Sequence, residues 1–205
     1  MRNLEPLVHP VPIANLRPTQ ITVGFREVAQ KRRELAKRAG EKAAEFLGRH
    51  MIPTVIGPKG RHFVVDHHHL AMALHEEGVR DVLVSVQADL SVLPKRDFWT
   101  FMDAHDWCHP YDAAGRRHDF EDIPRTVDKL TDDPYRSLAG ALRRAGGFAK
   151  VATPFSEFLW ADYLRRRIPV GRVRADFDAA LKRARALAID HAADYLPGWC
   201  GPDPM

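Results

Sequence analysis

Apolar and polar residues change period several times along the chain, and each change marks an element. Residues 81–88 set Val82, Val84 and Val86 against Leu83, Ser85 and Gln87. A period of two predicts a strand. Residues 11–23 alternate more loosely through Val11, Ile13, Leu16, Ile21 and Val23, with Pro12 and Pro18 as breaks, and predict a short strand and a turn. Residues 51–56 and 62–65 are β-prone runs flanking Gly57-Pro58-Lys59-Gly60, which predicts a hairpin. Between 25 and 48 the apolar residues Phe25, Val28, Leu35, Ala39, Ala43, Phe46 and Leu47 recur near 3.6. That is a long helix, weakened at Gly40. A second helix is predicted over 67–77 and closed by Gly78. Helices follow over 94–107, 134–145, 154–167 and 174–195, around a loop at 108–133 dense in Asp, His, Pro and Gly. The 134–145 helix follows Asp132 and Asp133 and opens on a proline. For 154–167, Thr153 is the expected cap and Glu157 completes a capping-box spacing.

These elements divide into a mixed α/β part over residues 1–92 and a helical part over 93–205, an α+β fold. The 205 residues and the 45% apolar content suit a real core and exclude a disordered tail. The net charge of +4 permits a nucleic-acid or nucleotide partner, whereas 27 acidic residues exclude a simple DNA-coating protein. A homodimer is compatible with this composition. No apolar run approaches the length of about 18 residues that a membrane helix needs, so no membrane partner is expected. The start of the chain shows no positive-then-apolar leader pattern. Cys108 and Cys200 make neither a disulfide framework nor a CxxC pair, and a reducing cytoplasm is the expected compartment.

The chemistry concentrates in four places. In the first, a β-branched run ends at Asp66, three histidines follow, and an apolar helical pattern begins at Leu70. Strand, polar turn and helix build an anion site, because the first N–H groups of a helix have no internal partner and its dipole favours negative charge. Asp66 is the expected N-cap. His67, His68 and His69 diverge around the helix start, so one or two at most can face a common ligand. A polar cap alone, a phosphate site and a bound metal all fit these residue types. Second, His105 and His109 stand four apart, but Pro110 ends any helix there and a polar loop is the better reading. Third, Asp132 and Asp133 either hold a divalent metal through water or cap the next helix, with Arg136 one turn on to meet a carboxylate or a phosphate. Fourth, Arg165-Arg166-Arg167 is the densest basic run, a candidate nucleic-acid contact or a solvated helix end.

The order of elements and the line Val64-Val65-Asp66-His67-His68-His69-Leu70-Ala71-Met72-Ala73 resemble the ParB/sulfiredoxin superfamily. Leu16-Arg17-Pro18-Thr19-Gln20 with Val23-Gly24 looks like its N-terminal box. The closer match is its ParB-like nuclease branch, which shares Asp132-Asp133-Pro134-Tyr135-Arg136-Ser137 and Pro154-Phe155-Ser156-Glu157-Phe158 with Trp160-Ala161. The resemblance implies a small mixed-sheet domain with a helical extension. It also implies a nucleoside triphosphate or diphosphate at the turn, lined by Asp66, His67, His68 and His69. His67 stands where the superfamily has a glycine, and His69 near its arginine. The sulfiredoxin cysteine is missing, which argues against sulfinic-acid reduction. Gln20 replaces the glutamate base of related serine kinases. No helix-turn-helix is evident.

Together these features predict a nucleotide or other phosphate ester bound at the 66–69 turn. Phosphoryl transfer or phosphodiester cleavage would follow, assisted by Mg or Mn. Asp66, His68 and His69 are the candidate catalytic groups; His67, His68, His69 and Arg136 are the phosphate contacts. Asp132 and Asp133 are the candidate metal ligands. The alternatives are a non-enzymatic DNA-binding protein using Arg165, Arg166 and Arg167, and a protein-interaction module built on the aromatic helix at 155–163.

Overall fold

The computed structural model describes residues 8–37 and 51–202. The strands are β1 (Val8–Pro12), β2 (Thr22–Val23), β3 (Ile52–Gly57), β4 (Arg61–Val64), β5 (Asp81–Asp89) and β6 (Thr131–Asp132). The α-helices are α1 (Phe25–Ala36), α2 (His68–Glu76), α3 (Lys95–Ala104), α4 (Pro134–Arg144), α5 (Ser156–Arg165), α6 (Val170–Ala175) and α7 (Phe177–Ala188). By their contacts the residues fall into two units. Among the described residues the first holds 8–23, 28–37, 51–112 and 117–131; the second holds 24–27, 113–116 and 132–202. The part of the expected long helix beyond residue 37 lies outside the described residues.

The first unit is built on a four-stranded mixed sheet in the order β1-β5-β3-β4. β1 runs antiparallel to β5, with Pro10 opposite Leu83 and Pro12 opposite Asp81. Two prolines in one strand are tolerated because β1 is an edge. β3 and β5 are parallel, so the chain must cross over between them, and α2 lies in that crossover. β3 and β4 form the expected hairpin, with Thr54 opposite Val64 and Gly57 opposite Arg61.

Alternation assigns the two faces. Ile52, Val64, Val82, Val84 and Val86 join Leu70, Ala71, Met72, Ala73 and Leu74 of α2 in one core. Val55 joins Phe98, Trp99 and Met102 of α3 in another, with Phe63, its β4 partner, packed against them. A register shift between Thr54 and Val55 accompanies this division. Helix α2 ends as its sequence predicts. Gly78 is left-handed at φ 74°, its N–H reaches the His75 carbonyl, and the Val79 N–H reaches that of Leu74.

The second unit is helical. Its core gathers Leu138 and Leu142 of α4, Trp160 and Leu164 of α5, Val173 of α6, and Ala184 and Leu187 of α7. Buried aromatic hydroxyls fix the helices: Tyr135 donates to the Ile168 carbonyl at 2.6 Å and Tyr163 to that of Leu187 at 3.1 Å. Two local expectations fail. The capping box at Thr153 and Glu157 does not form; α5 starts at Ser156 after a left-handed Phe155, φ 55°. Glu157 is drawn instead to Arg143, 2.8 Å away. The single helix expected over 174–195 is two, because Asp176 leaves the helical conformation and caps α7 by accepting the Ala179 N–H. Among the described residues no helix is long and apolar enough to cross a membrane.

Candidate functional site

The 66–69 turn links β4 to α2, and its four side chains separate as the helix geometry demands. Asp66 and His67 are exposed, His69 is half-buried, and His68 is 5% exposed. The turn bends through His67, which is left-handed at φ 65°. The residue in the superfamily's glycine position thus adopts the conformation that glycine accepts without strain. The imidazole Nδ1 of His67 lies 3.1 Å from the Met51 carbonyl. The expected capping role of Asp66 passes to the next residue. His67 is the N-cap, and Asp66 Oδ1 accepts the His67 N–H at 2.6 Å, too early in the chain to reach the first turn of α2. No hydrogen bond from the His67 side chain caps the helix either.

His68 points inward and joins the turn to the N-terminal box. Its Nε2 accepts the backbone N–H of Thr19 at 3.1 Å, with Thr19 Oγ1 at 3.3 Å. An N–H can only donate, so Nε2 carries no proton in this arrangement. Thr19 Oγ1 in turn donates to the Val64 carbonyl at 2.7 Å. The box is laid along β4: the Arg17 N–H reaches the His62 carbonyl, and the Val64 N–H reaches that of Arg17. Two segments 49 residues apart in sequence therefore meet at the start of α2.

The neighbouring residues narrow the chemistry. Gln20 is buried and its amide donates to the Thr22 carbonyl at 2.8 Å. Beside it, His109 pairs with Gln20 as an isolated bridge and gives its N–H to the Thr19 carbonyl. His105 and His109 do not share a helix, since α3 ends at Ala104. Burial, reinforced by Asp103, pushes the Cys108 thiol up to about 12, so it is no nucleophile near neutral pH. Sequence reasoning did not single out Thr19 as a site residue, although the box at 16–20 was the available signal. His109 was weighed only with His105 and read as part of a polar loop, and its link to Thr19 has no local signal.

The other candidates lie in the second unit and are engaged there. Asp132 Oδ1 accepts the Phe25 N–H at 2.8 Å, and Ser137 Oγ accepts that of Arg26 at 3.2 Å. Gly24 permits this approach, since a Cβ there would sit 2.6 Å from the Ser137 N and Oγ. Asp133 caps α4 through the Tyr135 N–H and bonds Arg165 at 2.5 Å. Burial pushes the Asp133 carboxyl above its ordinary range, against the pull of Arg165. Arg136 is buried over the Phe158 ring, 3.6 Å from its centroid, with Glu157 at 3.7 Å. Burial lowers its guanidinium from the usual arginine value. Arg165 also pairs with Asp162. Arg167 lies over the Tyr163 ring, and Arg166 is exposed. Glu27 pairs with Arg144 through both carboxylate oxygens. Among the described residues no three His, Cys, Asp or Glu side chains come together as metal ligands.

The mixed four-stranded sheet and the strand-turn-helix centre define a ParB-like class of protein, and the sequence comparison agrees. A family model described as "Putative ParB-like nuclease" matches residues 9–166, and the chain belongs to that family. It is also similar to protein Atu1540 from Agrobacterium tumefaciens, known from a crystal structure. The two are 52% identical, the match covers 98% of this chain and 100% of that one, and the TM-score is 0.91. No curated protein matches.

Proposed function

We propose that this protein binds a nucleotide or another phosphate ester at the turn formed by Asp66, His67, His68 and His69. The observation that carries the reading is the buried bond between His68 and Thr19, which holds the N-terminal box against the start of α2. A helix start favours an anion through its dipole and its first N–H groups. In this reading His69, which is half-buried, meets the phosphate, and Asp66 supplies an exposed carboxylate on the same turn. His68 serves as the anchor that sets their position, since its Nε2 accepts from Thr19. Membership of the ParB-like nuclease family makes phosphodiester cleavage the first reaction to assay and phosphoryl transfer the second.

The test is a thermal-shift panel of CTP, ATP, ADP and GTP, each with and without magnesium or manganese. Binding to the folded state alone raises the unfolding midpoint. A shift with one or more nucleotides that His69→Ala abolishes, at an unchanged unliganded midpoint, supports the site. A shift that persists in both His69→Ala and Asp66→Asn removes it from the turn.

A further inference from the structure

Several arginines in this protein meet carboxylates. Arg32 meets Glu76 and Glu77, Arg117 meets Asp103, Arg144 meets Glu27, and Arg165 meets Asp133 and Asp162. One group within the first unit does not. A cavity of about 390 Å³ is lined by Arg17, Arg61 and Arg125, with no Asp or Glu among its lining residues. Among the described residues none of these three arginines makes an ion pair. Burial first, and then the charges of Arg61 and Arg125, hold the Arg17 guanidinium below its usual range.

The three come from separate parts of the chain, the box at 16–20, the first residue of β4 and the loop after residue 123, so local sequence does not group them. Placement is set by the sheet. The Arg17 backbone bonds along β4 next to Arg61, and left-handed residues at Lys59 and Gly60, φ 65° and 67°, turn the hairpin just before Arg61. His62, Asn15 and Thr126 complete a polar wall, and Pro10, Pro12 and Ala14 form an apolar one. Converging guanidiniums without a carboxylate repel one another unless an anion is bound between them. Guanidinium is the group best matched to phosphate, which it grips through paired N–H donors. The volume is that of a small-molecule site.

We propose that this cavity is a second anion site, which takes a phosphorylated small molecule carrying two or more negative charges. It shares no lining residue with the turn at 66–69, and the inference stands whether or not that turn binds a nucleotide.

Calorimetric titration of the full chain with pyrophosphate, and with inorganic phosphate at matched ionic strength, tests this. Pyrophosphate should bind more tightly than phosphate. Arg61→Gln and Arg125→Gln should each weaken it about tenfold, the weight of one charge-assisted hydrogen bond. Arg61→Lys keeps the charge, loses the paired donors, and should weaken binding by less. The component of binding that the arginine variants lose should remain in His69→Ala, whatever binding the turn itself contributes. The proposal fails if pyrophosphate does not bind, if both glutamine variants bind it like the parent, or if His69→Ala alone removes it. Tighter binding of a duplex oligonucleotide than of pyrophosphate, lost in the same arginine variants, would reassign the cavity to nucleic acid and overturn the small-molecule assignment.

Discussion

Two polar segments of similar composition have opposite fates. The segment Asp132-Asp133-Pro134-Tyr135-Arg136-Ser137 spends its polar groups inward: Asp132 and Ser137 take the first N–H groups of α1, Asp133 caps α4 and holds Arg165, and Arg136 is buried over Phe158. The turn at 66–69 uses one side chain, His68, as an anchor and presents Asp66 and His67 to solvent over a strained backbone. Polar motifs that look equally functional in sequence are thus distinguished by where their donors and acceptors go. One set is consumed by folding; the other is built on folding that lies elsewhere.

The largest effect that can break this comparison is at Asp133. Asp133→Ala removes a helix cap and leaves Arg165, which is 14% exposed, with Asp162 but without its buried partner. Breaking a buried pair costs about 3–5 kcal/mol. Asp66→Ala, at a side chain 76% exposed, should cost less than about 1 kcal/mol. Urea unfolding of both variants measures the contrast, and equal losses would show that the turn is as structural as the Asp133 segment. A smaller effect tests the strain. A β-branched residue resists the left-handed region, so His67→Val should cost about 1–3 kcal/mol. His67→Gly should stay within about 1 kcal/mol of the parent, because glycine accepts that φ while giving up the contact with Met51. Thermal unfolding midpoints rank the two; a valine variant as stable as the glycine one would mean the backbone there is unstrained.

The smallest effect concerns an exposed pair outside both segments. His118 sits between Asp112, at 3.0 Å, and Asp122, at 3.5 Å. The hydrogen bond to Asp112 is the main reason its imidazole is raised above the ordinary 6.5. The charged form is therefore favoured by the fold. Its contribution is full below the unfolded value near 6.5 and is lost as pH rises through the higher folded value. Unfolding midpoints measured from pH 5 to pH 9 should show this slope in the parent and not in His118→Gln. If the slope survives the substitution, another group owns it.

Much of the fold was legible because its signals are local. The hairpin around residues 57–60, the Gly78 stop, the alternation of β5 and the Asp133 cap each lie within a few residues of what they control. Two helix-start readings failed. Glu157 stands four residues after Thr153, one beyond the spacing a capping box needs, and it pairs with Arg143 instead. Asp176 interrupted a continuous amphipathic pattern because its side chain satisfies a new helix start. The candidate site was legible in part. Histidines at a strand-to-helix turn can be read directly, but the pairing of His68 with Thr19 depends on β4 meeting the box. The convergence of Arg17, Arg61 and Arg125 leaves no mark on any stretch short enough to scan.

The bond between Thr19 and His68 also sets an order of events. A contact that closes 49 residues of chain cannot form while the intervening strands are unpaired, because the entropy of closing such a loop must first be met by sheet contacts. The turn can fold early with its own helix, whereas the anchor arrives only once β4 has received the box along its edge. A newly made chain therefore holds its histidines in place late in folding, and partial opening of the box is the shortest route by which the finished protein would let them go.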